Sequence, residues 1–219
     1  MLGRGEGDQR RVEAPAVARY VSETGQSFVF DRSSPRQPML RFEGSSEVWV
    51  LAPQYAPRGD ILYKNDLGRT MLRVTRVGGL TLFTTERPGG AAAATVGASP
   101  PLGLARLGPS QLFRVMTVAS TRASHAAQKL ITVEADATPE SSALIGDAAL
   151  VAAEAMMRLS RRADGRALLS RISKIVIEQG ARPGVMMDRA GAIHITVVPS
   201  MLLLGRPSSD RICFAAGAR

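Results

Sequence analysis

From Tyr20 onward, short apolar runs with a two-residue period alternate with turn residues. Phe28 and Phe30 alternate with polar or outward positions in Ser27-Phe28-Val29-Phe30-Asp31, and a Ser33-Ser34-Pro35 break precedes Met39-Leu40-Arg41-Phe42. Gly44-Ser45-Ser46 turns the chain into Glu47-Val48-Trp49-Val50-Leu51, and a loop with Pro53 and Pro57 leads to Asp60-Ile61-Leu62-Tyr63-Lys64. Successive side chains of a strand point to opposite faces, so each run reads as a half-buried strand. Asn65-Asp66-Leu67-Gly68 joins the last of these to Met71-Leu72-Arg73-Val74 as a hairpin, with glycine supplying the positive φ that closes the loop. Gly78-Gly79 leads into Leu80-Thr81-Leu82-Phe83-Thr84. About six strands at spacings of about 8–12 residues predict an antiparallel meander, strongly curved or closed into a small barrel.

The pattern then changes. Residues 87–108 hold Arg87-Pro88-Gly89-Gly90, an alanine run and Ser99-Pro100-Pro101, a composition expected to form an exposed or mobile connector without a strand ladder. Gly108-Pro109-Ser110 starts a helix in which Leu112, Phe113, Met116, Ala119, Ala123 and Ala126 recur at helical spacing to about Gln128. A short strand, Leu130 to Glu134, follows. Thr138-Pro139-Glu140 opens a second helix, apolar nearly all round from Leu144 to Leu159 and turning polar at Arg158. Ile172, Ile175 and Ile177 mark a strand, and Val185-Met186-Met187 forms a hairpin with Ile193 to Val198 through Asp188-Arg189-Ala190-Gly191. The fold class is therefore α+β: a leader at 1–17, a β-rich part at 18–86, the connector at 87–108, and two helices packed on a small mixed sheet at 109–219.

Composition changes this picture little. The chain has 219 residues, 45% of them hydrophobic and 5% aromatic, so its core must rest mainly on aliphatic side chains. The net charge of +9 suggests a polyanionic partner. Of the 28 basic residues, however, only Lys64, Lys129 and Lys174 are lysines, and the arginines are dispersed alongside abundant Ala, Gly and Pro, as a GC-rich coding sequence produces. Arg158, Arg161, Arg162 and Arg166 form the tightest cluster. Cys213 stands alone, which excludes an internal disulfide and a thiolate metal site. The first 20 residues lack the apolar run of about 7–15 residues of a signal peptide. No segment reaches the ~20 apolar residues of a membrane span.

Candidate chemistry is sparse. His125 and His194 are the only histidines, and no His-Glu-x-x-His pattern supports a metal site, so neither metal nor cofactor is expected. No Gly-x-Ser-x-Gly elbow or Walker loop is present. The acidic pairs Glu43/Glu47 and Asp60/Asp66 are explained by the turns they flank. Arg206-Pro207-Ser208-Ser209-Asp210-Arg211 is a polar turn after an apolar run, and its plainest reading is a surface loop capping the last strand. His194, Arg206, Ser208, Ser209 and Asp210, with the basic residues Arg158, Arg161, Arg162 and Arg166, are the candidate site positions.

Three stretches, YVSETGQSFVFDR from Tyr20, Leu40 to Phe83 with its core EVWVLAPQYAPRGDILYKND, and GRPSSDRI at 205–212, resemble an uncharacterised bacterial family known only as a domain of unknown function. Members of that family often look exported, so the resemblance implies a periplasmic or secreted location; the polar leader leaves a cytoplasmic one open. It implies no activity, fold or site residue. The leading expectation is a non-catalytic binding or structural protein of the bacterial cell envelope, touching anionic envelope polymers or envelope proteins. Two alternatives stay open: a hydrolase whose site is assembled from distant residues around His194 or His125, and a weak nucleic-acid-binding protein centred on Arg158 to Arg166.

Overall fold

The period-two runs fold as strands. The computed structural model describes residues 15–218, so residues 1–14 of the expected leader lie outside the described residues. Its first sheet contains β1 (Val17–Ser22), β2 (Ser27–Asp31), β3 (Met39–Phe42), β4 (Trp49–Val50), β5 (Ala52–Tyr55), β6 (Ile61–Lys64), β7 (Thr70–Val74), β8 (Leu80–Leu82) and β9 (Ala91–Ala98). The order in space is β4-β3-β2-β1-β9-β8-β7-β6-β5. Every pairing is antiparallel. The two outermost strands, β4 and β5, are consecutive in the chain and separated only by Leu51, so the meander is a nearly closed barrel.

Its interior is filled with side chains. Tyr20, Phe28, Phe30, Leu40, Trp49, Leu51, Tyr63, Leu72, Leu80 and Leu82 are buried together. Tyr20 stacks on Phe28 at 5.6 Å between ring centres, and Phe30 meets Tyr63 edge-on at 4.9 Å, geometries in which the positive ring edge and negative ring face are complementary. The hairpin expected at Asn65-Asp66-Leu67-Gly68 is present. Asn65 Oδ1 accepts from the amides of Leu67 and Arg69 at 3.1 and 3.0 Å, and Gly68 takes φ 76°.

The stretch 87–108 corrects the sequence reading. It contributes β9, which pairs with β1 from Ser22↔Ala93 to Ala18↔Ala98 and with β8 from Leu82↔Ala91 to Leu80↔Ala93. Alanine lowers the local strand signal, but a ladder is built from backbone groups, and strand preference follows the neighbours that are packed against. Ala91 is buried and Ala93 packs on the aromatic core, so methyl groups suffice on that side. Gly90, at φ 86°, immediately precedes the strand at a point where a Cβ would stand 2.6 Å from Thr81 Cγ2. The rest of the connector is not wholly exposed either. Leu102 is buried, and its amide donates to Asp31 Oδ2 at 2.8 Å.

The second half contains α1 (Pro109–Ala127), β10 (Thr132–Ala135), α2 (Ser142–Ser160), α3 (Gly165–Ser170), β11 (Lys174–Gln179), β12 (Gly184–Met187), β13 (Ala192–Val197) and α4 (Ser209–Ala215). The sheet order is β10-β11-β13-β12; the first three strands are parallel and β12 is an antiparallel edge. This is the expected α+β arrangement, with the short helices α3 and α4 added to the two long ones. α2 is buried nearly all round, as its sequence implies, through Leu144, Ile145, Ala148, Val151, Ala152, Ala155, Met156 and Leu159. Ile175, Ile177, Ile193, Ile195 and Val197 supply the inward side of the sheet to the same core. A small apolar cluster of Val29, Val48, Leu102 and Leu203 lies between this half and the barrel.

Candidate functional site

The densest polar cluster lies at the seam between the two halves, around Arg206 to Asp210. The sequence read as a surface turn is buried there, a second correction. Arg206, Ser208, Ser209 and Asp210 are each at most 8% exposed. After the 3-10 segment Pro199–Gly205 the backbone runs extended through Arg206 and Ser208 before α4 begins. Ser208, the extended residue that caps α4, and Ser209, the first residue of that helix, grip two different carboxylates. Ser208 donates to Asp66 from its amide at 2.9 Å and from Oγ at 2.5 Å. Ser209 donates to Glu47 from its amide at 2.8 Å and from Oγ at 2.5 Å. Both carboxylates come from barrel turns, Glu47 from the approach to β4 and Asp66 from the β6–β7 hairpin.

Arginines complete the seam. Asp147 and Arg158 stand 11 positions apart on α2, three helical turns, so both face it. Arg158 donates to Ser209 Oγ at 2.7 Å, pairs with Asp210 Oδ1 at 2.7 Å and lies 5.5 Å from the centre of the Trp49 ring. Arg206 pairs with Asp147 and donates to the Val48 carbonyl at 2.7 Å. Asp210, in the first turn of α4, also accepts from Asn65 Nδ2 at 2.9 Å. Ser208 caps α4, accepting from the Arg211 amide at 3.2 Å, and a carboxylate one residue into that helix suits its positive end.

Burial is the dominant force on Glu47. It outweighs Arg206, the bonds from Ser209 and Arg158, and pushes the carboxyl up to about 7. Desolvation pushes the half-buried Cys213 thiol up to about 12, which keeps it from the thiolate form a nucleophile needs. Ser209 is fully buried, and its hydroxyl is held between a carboxylate and a guanidinium with no surface to offer a substrate. The arrangement can join two halves and can exchange a proton at Glu47.

The other sequence candidates lie apart. His194 is on β13, with Nε2 3.1 Å from Asp188 Oδ2. The Ala192 amide and then His194 hold the Asp188 carboxyl below its usual range. Arg162 pairs with Asp164 at 2.8 Å, and Arg161 and Arg166 are exposed, so the arginine cluster divides and only Arg158 turns inward. His125 is exposed on α1. Glu47, Asn65, Asp66 and Asp147 belong to the cluster, though the sequence marks them only as turn or helix positions. Their partners lie 59 to 162 residues away, a separation no local pattern encodes.

Among the described residues no group of three or more His, Cys, Asp or Glu could hold a metal ion, and no helix is long and apolar enough to cross a membrane. No curated protein and no solved structure matches the chain. A family model described as "Domain of unknown function (DUF4908)" matches residues 1–216, nearly the whole length, in keeping with the resemblance carried by the three stretches above. The chain belongs to that family, the domain of unknown function DUF4908.

Proposed function

We propose that the protein is a non-catalytic binding or structural protein of the bacterial cell envelope that presents a basic face to an anionic envelope polymer. The observation that carries this reading is the outer side of the helical half. Between Glu86 and Glu134 the chain has no acidic residue, and Arg114, Arg122 and Lys129 of the helical half fall in that interval, with Arg106 just before α1. α1 runs through its middle with Arg114 and Arg122 exposed beside Phe113, which is 73% exposed. Cations set apart from carboxylates along the chain attract a polyanion over about a Debye length, roughly 8 Å at physiological salt. The seam adds support, because its serines, carboxylates and arginines are engaged with one another, so the polar groups free to meet a partner lie on the outside.

The test is retention of the full chain on isolated cell-wall material and on a soluble acidic polysaccharide at rising salt. Retention at low salt, lost as salt rises and lost in an Arg114→Glu/Arg122→Glu variant, is the expected result. No retention at low salt, or equal retention by the variant, overturns the reading. Tighter binding to DNA than to the polysaccharide would favour the nucleic-acid alternative.

A further inference from the structure

We propose that the cleft on the barrel wall beside the 3-10 turn Pro57–Gly59 is a binding site for an organic anion, a carboxylate or phosphate ester carried on an apolar body. The cleft is open and encloses about 510 Å³. Pro57, Leu62 and Phe83 give it apolar walls, Arg58 and Arg73 give it cations, and Asp60 is the one carboxylate among its lining residues.

The charges do not balance. Arg73 Nε donates to Asp60 Oδ2 at 2.8 Å and its second nitrogen also pairs with that oxygen. The Arg76 amide approaches the other carboxylate oxygen at 3.4 Å, and the aliphatic stem of Arg76 lies against Gly59, where a Cβ would be 3.2 Å from Arg76 Cδ. Hydrogen bonds from Arg73 hold the Asp60 carboxyl below its usual range, with Arg58 adding to the pull. Asp60 is thus committed to Arg73, and Arg58 and Arg76 leave a net positive charge beside an apolar wall. Guanidinium groups match carboxylate and phosphate oxygens in shape as well as charge, and small-molecule sites pair apolar walls with a few placed polar groups.

The backbone gives a separate indication. Arg58 sits at φ 71°, ψ 10°, followed by Gly59 at φ 82°. Glycine adopts this left-handed conformation freely and a residue with a Cβ does not. Arg58 is exposed, so neither burial nor packing of its side chain accounts for an arginine at that position. A cation lining a binding cleft does. Strained residues of this kind concentrate at ligand clamps.

The test titrates the full chain with hexyl phosphate, inorganic phosphate and hexanol, following amide resonances, in wild type, Arg58→Gly and Arg58→Lys. Hexyl phosphate is expected to saturate and to bind at least about tenfold more tightly than either half of the molecule, because charge and apolar surface are engaged together. Arg58→Gly is expected to weaken it by about tenfold while the thermal midpoint stays level or rises, since glycine relieves the backbone. Arg58→Lys is expected to retain most of the affinity. Equal affinity for hexyl phosphate and inorganic phosphate, unchanged binding in Arg58→Gly, or no saturable binding to wild type overturns the proposal. Polymer retention by α1 is expected to be unaltered in Arg58→Gly, so the two proposals can fail separately.

Discussion

The two halves of the molecule build their interiors from different materials. The single tryptophan and two of the three tyrosines are buried in the barrel with Phe28 and Phe30, so a few large rings fill a small closed volume. The core of the helical half contains no aromatic residue at all; alanines, isoleucines, leucines, valines and Met156 make it up. The aromatic residues of that half, Phe113 and Phe214, are both more than half exposed. Small side chains let helix axes approach closely, whereas a curved sheet leaves a wide interior that rings fill with few contacts to spare. The seam is different again. It is polar, with Glu47, Asp66, Asp147 and Asp210 set against Arg158, Arg206 and two serines.

This contrast orders the expected effects of substitution. Phe30→Ala removes a fully buried ring from a volume with little freedom to collapse, and a loss of about 4 kcal/mol is expected in chemical denaturation. A loss below about 1 kcal/mol would mean the barrel interior is loosely packed. Arg206→Ala leaves Asp147 and the Val48 carbonyl without their partner at a buried position, and about 3 kcal/mol is the expected cost. Because Trp49 and every tyrosine belong to the barrel sequence, tryptophan fluorescence reports that half and far-ultraviolet dichroism is weighted to the other. Coincident transitions by the two probes in wild type, separating in Arg206→Ala, are the sign of a seam that couples the halves. Ala119→Leu adds bulk to a fully buried position on α1, and a loss of about 2 kcal/mol is expected from overpacking.

The same contrast explains what the sequence discloses. Strands such as β2 and β7 are legible because short runs of large apolar residues are bounded by turn residues, and α2 because its buried positions recur on all sides. β9 is not legible. Its alanines carry almost no strand signal, and its place is set by β1 and β8, neither adjacent to it across a tight turn. At the site, Arg206, Ser208, Ser209 and Asp210 stand out as a polar run after Met201-Leu202-Leu203-Leu204. Their burial does not, since it depends on carboxylates supplied by barrel turns more than 140 residues earlier. Glu47 and Asp66 are unremarkable turn residues until those turns are brought against α4.

Glu47 offers the most direct test of the seam. Its carboxyl is raised from 4.5 to about 7 in the folded protein, so between those values the folded state holds more protons than the unfolded state. The stability tied to that proton is fully present below pH 4.5 and is lost as pH rises towards about 7, with a slope of at most about 1.4 kcal/mol per pH unit. The measurement is unfolding free energy by chemical denaturation across this interval for wild type and Glu47→Gln. The expected result is a stability that falls with rising pH in wild type and is nearly level in Glu47→Gln. Parallel curves for the two proteins would contradict a buried carboxylate at the junction.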